Sequence, residues 1–294
     1  MTEDPAAQEG SGARSLGARV KPGARVEPGV RVGSAARGLG ARVGPGARVG
    51  PGARVGPGPG CFVTGTDTGV GKTVVACAIA RGLRARGLSA GVRKPIETGV
   101  GPEGPLDAAA LRAAAGSAEP LDVICPVALP LPAAPAVAAA NAGRAIALEA
   151  LVAGMRDAAA RHDFTVVEGA GGLLVPIAPG YDMADLARDV GLPLVVVART
   201  RLGSINHTRL TLDAARERGL RVAGVVLCHA DGKLSEADAE NLAWLKGALG
   251  PALIGEVPAL GAGELPPRDA IDLDTLLERC VTRAGVRPPR PPGR

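Results

Sequence analysis

The chain has 294 residues, with 34 Lys plus Arg against 29 Asp plus Glu and a formal net charge of +5. Residues 1–60 carry nine of the basic and four of the acidic residues, so the rest of the chain is balanced and the basicity belongs to its first sixty residues. With Phe62, Phe164, Tyr181 and Trp244 as its only aromatics, the chain lacks the basic, stacking surface of a nucleic-acid reader.

Other partners are excluded in the same way. No run of about 18 apolar residues is present to cross a membrane, and no apolar leader core stands near Met1. Five cysteines, Cys61, Cys77, Cys125, Cys228 and Cys280, form no CxxC pair, and the three histidines are scattered. Zinc spacing is absent. Free thiols of this kind fit a reducing compartment, so a cytoplasmic location is expected.

In chain order, residues 1–59 are a low-complexity Gly/Pro/Arg-rich tail. The unit Gly-Ala-Arg-Val recurs at 17, 23, 40, 46 and 52, with Gly-Val-Arg-Val at 29. One Val per unit cannot bury enough surface to offset chain entropy, so the tail is expected to be disordered. From Cys61 onward, short apolar runs alternate with Ala-rich stretches. Strands are expected at 61–64, 90–94, 164–168, 193–198, 221–228 and 252–257. Helices are expected at 73–86, 107–115, 146–160, 183–189, 206–218, 235–248 and 270–280. This alternation predicts an α/β domain over 60–283, with a doubly wound, mostly parallel sheet and helices on both faces. A Pro/Arg-rich tail, 284–294, follows.

Four segments carry chemistry. Gly65-Thr-Asp-Thr-Gly-Val-Gly-Lys-Thr73 follows a strand and opens a helix, the context of a phosphate-binding loop. Its glycines free backbone N–H groups to face phosphate oxygens, and the helix adds its positive end. Lys72 would reach the β- and γ-phosphates, and the Thr73 hydroxyl would bind Mg²⁺. The loop has five residues between Gly65 and Gly71, where the usual one has four.

Phe164-Thr-Val-Val-Glu168-Gly-Ala-Gly-Gly172 places an acid at the C-terminal end of a buried strand, the edge where open α/β sheets bind ligands. Such a carboxylate can hold Mg²⁺; a strand ending in a flexible turn reads the same. Arg93-Lys94-Pro-Ile-Glu-Thr98-Gly99 ends the second strand at that edge, where Lys94 can steady transferring charge or be a surface lysine. Asp107 opens a helix, either as a first-turn acid or as a second Mg²⁺ carboxylate.

Together and in this order, the four segments resemble the ATP-dependent dethiobiotin synthetase family, a branch of the P-loop NTPases, over roughly residues 60–260. The family's GTDTxVGKT loop matches Gly65–Thr73, including the extra residue. Its KPxxTG stretch matches Lys94–Gly99, and its EGAGG stretch matches Glu168–Gly172, followed by Pro176. Leu202-Gly-Ser-Ile-Asn206-His207 looks like its LGxINH stretch, and Pro132–Pro135 like its PxxP stretch.

The resemblance implies a cyclo-ligase. It would form dethiobiotin, ADP and phosphate from 7,8-diaminononanoate, CO₂ and MgATP, in biotin synthesis. It implies that Lys94 and Lys72 are catalytic and that Thr73, Asp107 and Glu168 organise Mg²⁺. Nucleotide contacts would come from Gly69, Val70, Gly71, Lys72, Thr73, Val74, Asp107, Glu168, Gly169, Ala170 and Gly171. Cys228, His229, Pro258, Ala259 and Leu260 would lie near the base. Thr98, Pro176 and Asn206 would contact the substrate in a homodimer. One departure is visible: the family often has Asn where Cys228 stands, and neither Cys nor His reproduces an amide's paired donor and acceptor. The competing reading is a MinD/ParA-like partner-switching ATPase, whose loop usually carries an early Lys that residues 66–70 lack.

Overall fold

The computed structural model describes residues 58–229, 234–261 and 264–281. The repeat units of the N-terminal tail and the segment 284–294 lie outside these residues. All six expected strands are present, and each shows the predicted mix of apolar run and punctuation. They are β1 (Gly60–Gly65), β2 (Ala90–Arg93), β5 (Phe164–Gly172), β8 (Leu194–Arg199), β9 (Val222–Cys228) and β10 (Leu253–Val257). They form one parallel sheet in the order β10-β9-β8-β1-β5-β2.

The side-chain period of two sorts these strands onto two cores. Cys61, Val63, Val195 and Val197 face one layer with Ile79, Leu83, Leu111 and Leu276. Phe62, Leu194, Val196 and Ala198 face the other with Met155, Met183, Leu186 and Leu245. Helices α1 (Lys72–Ala85), α2 (Leu106–Ala115) and α9 (Leu273–Val281) supply the first layer. Helices α5 (Leu148–Arg161), α6 (Met183–Val190), α7 (Ser204–Glu217) and α8 (Glu236–Leu249) supply the second. A parallel sheet needs cover on both faces, which is why the strands read as nearly continuous apolar runs. Phe62 and Phe164 are fully buried, and truncating either to Ala would cost about 3–5 kcal/mol.

Two small sheets and two short helices were not expected. The strands β3 (Ile96–Thr98) and β4 (Val127–Leu129) pair in parallel, and β6 (Pro176–Ala178) pairs antiparallel with β7 (Tyr181–Asp182). Helices α3 (Leu121–Ile124) and α4 (Pro135–Asn141) lie between β2 and α5 in the chain. All six are too short for their periodicity to show. Boundaries moved for local reasons. β5 runs on through its glycines to Gly172, which pairs with Gly65 after a bulge. α7 begins at Ser204, two residues early, because Gly203 takes a left-handed turn with φ 92° just before it. α9 begins at Leu273, three residues after the expected start at 270.

β1 sits between β5 and β8; the chain leaves β1 toward β2 on one side and leaves its neighbour β8 toward β9 on the other. The loops after β1, β5 and β8 therefore open a crevice at the C-terminal edge of the sheet, where ligands bind in such folds.

Candidate active site

The loop from β1 to α1 turns on Gly69 at φ 70° and Gly71 at φ 96°. Both conformations lie in the left-handed region that favours glycine. A Cβ on Gly71 would also stand 2.9 Å from the Cys228 Sγ. No side chain caps α1 at Gly71, which leaves its first N–H groups for a ligand. Lys72 is 7% exposed and arches back, its Nζ donating to the Asp67 carbonyl at 3.0 Å. Burial, more than any neighbour, lowers its pKa from the ordinary lysine value.

The centre of the site is Lys94, immediately after β2 and 3% exposed. Its ammonium donates to Glu168 Oε1 at 2.6 Å and to Asp107 Oδ2 at 2.7 Å. Glu168, at no measurable exposure, also accepts from the Thr73 hydroxyl at 2.8 Å, while its Oε2 has no partner. Burial raises the Glu168 pKa, and Lys94 pulls against that shift. For Lys94 burial acts to lower the pKa, but Glu168 and Asp107 outweigh it and the ammonium is held above its ordinary value. The structure thus joins four residues from four parts of the chain: Thr73 of α1, Lys94 after β2, Asp107 of α2 and Glu168 of β5.

Other expected residues fall around this centre. Val70 is buried within the phosphate loop, and Val74 lies in the first turn of α1. Gly169 packs so closely that an added Cβ would stand 2.9 Å from Phe62, and Gly171 turns at φ 66°. Ala170 is nearly buried between them. Thr98 ends β3, and Pro176 opens β6 as an exposed residue. Asn206 is exposed on the first turn of α7.

Cys228 does not face outward. It is 6% exposed against Gly71, and burial pushes its thiol up to about 12. His229 is engaged at both ring nitrogens, with Glu256 Oε1 2.6 Å from Nε2 and the Thr200 hydroxyl 3.2 Å from Nδ1. Pro258 and Ala259 are exposed, and Leu260 half-buried, in the loop after β10.

Three residues near the site have side-chain partners that the sequence does not show, although the Glu256-Val-Pro258 stretch itself resembles the family's loop near the base. Glu97 accepts from the N–H groups of Asp107 and Ala108, both at 3.0 Å. Arg199, at the end of β8, donates to the Gly69 carbonyl. Glu256 links His229 to Lys246. Each acts on residues distant in sequence, so no local spacing reveals it.

The chain matches an AAA domain family model over residues 60–264. The ATP-dependent dethiobiotin synthetase BioD of Anaeromyxobacter sp. (strain Fw109-5) is 53% identical over 168 residues, 57% of this chain and 75% of that protein. The enzyme of the same name from Anaeromyxobacter dehalogenans (strain 2CP-1) is 55% identical over the same shares. Among solved structures, a ParA family ATPase from Chlorobium tepidum TLS is 15% identical, with a TM-score of 0.44, covering 76% of this chain and 90% of that one. A chain of the MinC:MinD cell division protein complex from Aquifex aeolicus gives 14% and 0.43, covering 76% and 87%. These structural likenesses are too distant to weigh, whereas half the residues are shared with the synthetases across three-quarters of their length. With its phosphate loop, buried lysine and paired carboxylates in place, the chain belongs to the ATP-dependent dethiobiotin synthetase family.

Proposed function

We propose that this chain closes the cyclic urea of dethiobiotin from 7,8-diaminononanoate, CO₂ and ATP, with Lys94 and Lys72 as its catalytic cations. One amine of the substrate adds to CO₂ and loses a proton, giving a carbamate. A carbamate oxygen attacks the γ-phosphorus, and ADP leaves. The second amine attacks the carbamoyl carbon and gives up a proton as phosphate leaves, and the ring closes.

Every stage carries negative charge at one place, and a buried ammonium there stabilises it far more than one in water. The observation that carries this reading is Lys94, held charged between Glu168 and Asp107 beside the phosphate loop. Lys72 would meet the β- and γ-phosphates by leaving the Asp67 carbonyl. The N–H groups of Gly69–Val74 would cradle those phosphates, with Gly169–Gly171 alongside.

The donor set also fits Mg²⁺. Thr73, Asp107 and Glu168 offer hard oxygen ligands, and the Glu168 Oε2 is buried and unpartnered. Such an ion takes few protein ligands and draws the rest from substrate phosphates and water. When bound it would neutralise phosphate charge. Thr98 and Pro176 would line the diamine side. Pro258, Ala259 and Leu260 would meet the base with backbone groups, since Cys228 packs inward and His229 is occupied.

A homodimer would form through the start of α7. Leu202 (82% exposed), Ile205, Asn206 and Leu210 line a cavity of about 480 Å³ there. Asn206 would reach the partner's substrate. The five free thiols fit a cytoplasmic setting, and no helix among the described residues is long and apolar enough to cross a membrane. The proposal is tested by supplying ¹³C-bicarbonate with diamine and MgATP. One labelled carbon should enter the product as its ring carbonyl; an unlabelled or absent product would overturn the reading.

A further inference from the structure

Asp107 depends on something outside its own helix. The preceding loop contains Gly99 and Gly104, both at positive φ, and the capping residue Pro105 offers no side-chain acceptor. A helix start of this kind leaves the N–H groups of its second and third residues without partners. Here those residues are Asp107 and Ala108, and one carboxylate satisfies both: Glu97 Oε1 and Oε2, each at 3.0 Å. Glu97 is 7% exposed and sits in β3, paired with Ala128 of β4, so its backbone is fixed. Three residues upstream on the same segment, Lys94 holds the Asp107 carboxylate at 2.7 Å. The segment Lys94–Glu97 thus grips Asp107 twice, by its side chain and by its main chain.

We propose that Glu97 is a positioning residue of the reaction: as the long-range cap of α2 it sets where the Asp107 carboxylate stands. The proposal rests on the reading of Asp107 as a Mg²⁺-organising group. It concerns geometry only, since Glu97 itself touches neither the ammonium nor the phosphate loop in any recorded contact.

The test is calorimetry of ADP binding with and without Mg²⁺, on wild type, Glu97→Gln, Asp107→Asn and the double variant. Amide exchange is followed in parallel over residues 106–109. In Glu97→Gln the Mg²⁺-dependent gain in ADP affinity should fall roughly ten-fold, the scale for groups that orient a metal ligand. Metal-free ADP affinity should stay at the wild-type value, and exchange at Asp107 and Ala108 should speed up. The double variant should lose no more than Asp107→Asn alone, because both act through one group. Glu97→Asp, which reaches only one N–H, should fall between and serves if the Gln variant does not fold. Faster exchange with an unchanged Mg²⁺ gain would make Glu97 a cap and nothing more, and additive losses would show it acting apart from Asp107. If Asp107→Asn itself leaves the Mg²⁺ gain intact, the reading of Asp107 fails first, and the role of Glu97 fails with it.

Discussion

Lys94 sits where two strong effects oppose each other. Burial disfavours its charge, and two carboxylates within 2.7 Å restore it. Removing one member of such a buried set leaves the others uncompensated, which makes it poor as a source of stability and suitable as a charged device. Lys94→Ala should therefore lower the rate of ring closure by roughly 10²–10³-fold, the scale for a lost charge-stabilising group. ADP affinity should change little, because Lys94 has no recorded contact with the phosphate loop. Steady-state turnover and calorimetry on the same variant check both halves, and undiminished turnover would remove Lys94 from the mechanism. Glu97 went unremarked beside Lys94 and Thr98 because its partners are backbone groups ten residues away. A sequence names side chains, and nothing in it shows which distant N–H lacks an acceptor.

At the scale of elements, the phosphate loop was legible because its constraints are local: glycines, a strand before and a helix after. Its dependence on β9 was not. The Gly71 Cα lies against Cys228, 157 residues further along, and only the sheet order brings β9 near. Gly71→Ala should strain the loop at φ 96° and drive a methyl into the Cys228 sulfur. Nucleotide affinity should drop by about ten-fold or more, with the fold kept, as measured by calorimetry and circular dichroism. Wild-type affinity would mean the loop has slack that the contact denies.

The start of α7 is apolar and exposed. Leu210, 59% exposed beside Leu202, stands outside the cores formed by the described residues. Leu210→Asp should convert a dimer to a monomer in sedimentation and reduce turnover several-fold, on the scale of lost interface anchors. A monomeric wild type would contradict the dimer. The small sheets β3-β4 and β6-β7 escaped the sequence for a related reason. Strands of two or three residues show no alternation, and their prolines read as turns.

For the whole molecule, acid is the informative stress. Arg93 grips Glu119 through two hydrogen bonds and holds its carboxyl below the usual range, and the Ser89 N–H and hydroxyl do the same for Asp163. Groups lowered in this way stabilise the fold above their unfolded values of about 4, and that stability is lost as the pH falls through their folded values. Glu168 acts in the opposite sense, since burial raises its pKa and protonation favours its buried state. With more carboxylates lowered than raised, the urea midpoint should stay flat from pH 7 to about 5 and decline below about pH 4. Glu119→Gln should shrink that decline. A midpoint that rises on acidification would mean Glu168 dominates.

The six strands, their parallel sheet with helices on both faces, and the meeting of Lys94 and Glu168 at one sheet edge were legible in apolar runs and motif spacing, whereas the strand order was not, because pairings such as Gly60 with Thr165 join distant parts of the chain. The four-residue centre should couple ATP to ring closure. Its most direct test is an ADP-release assay with diamine, bicarbonate and MgATP, omitting each in turn. Release should occur only when all three are present, and ADP release that continues without the diamine would mean that the centre does not couple the two.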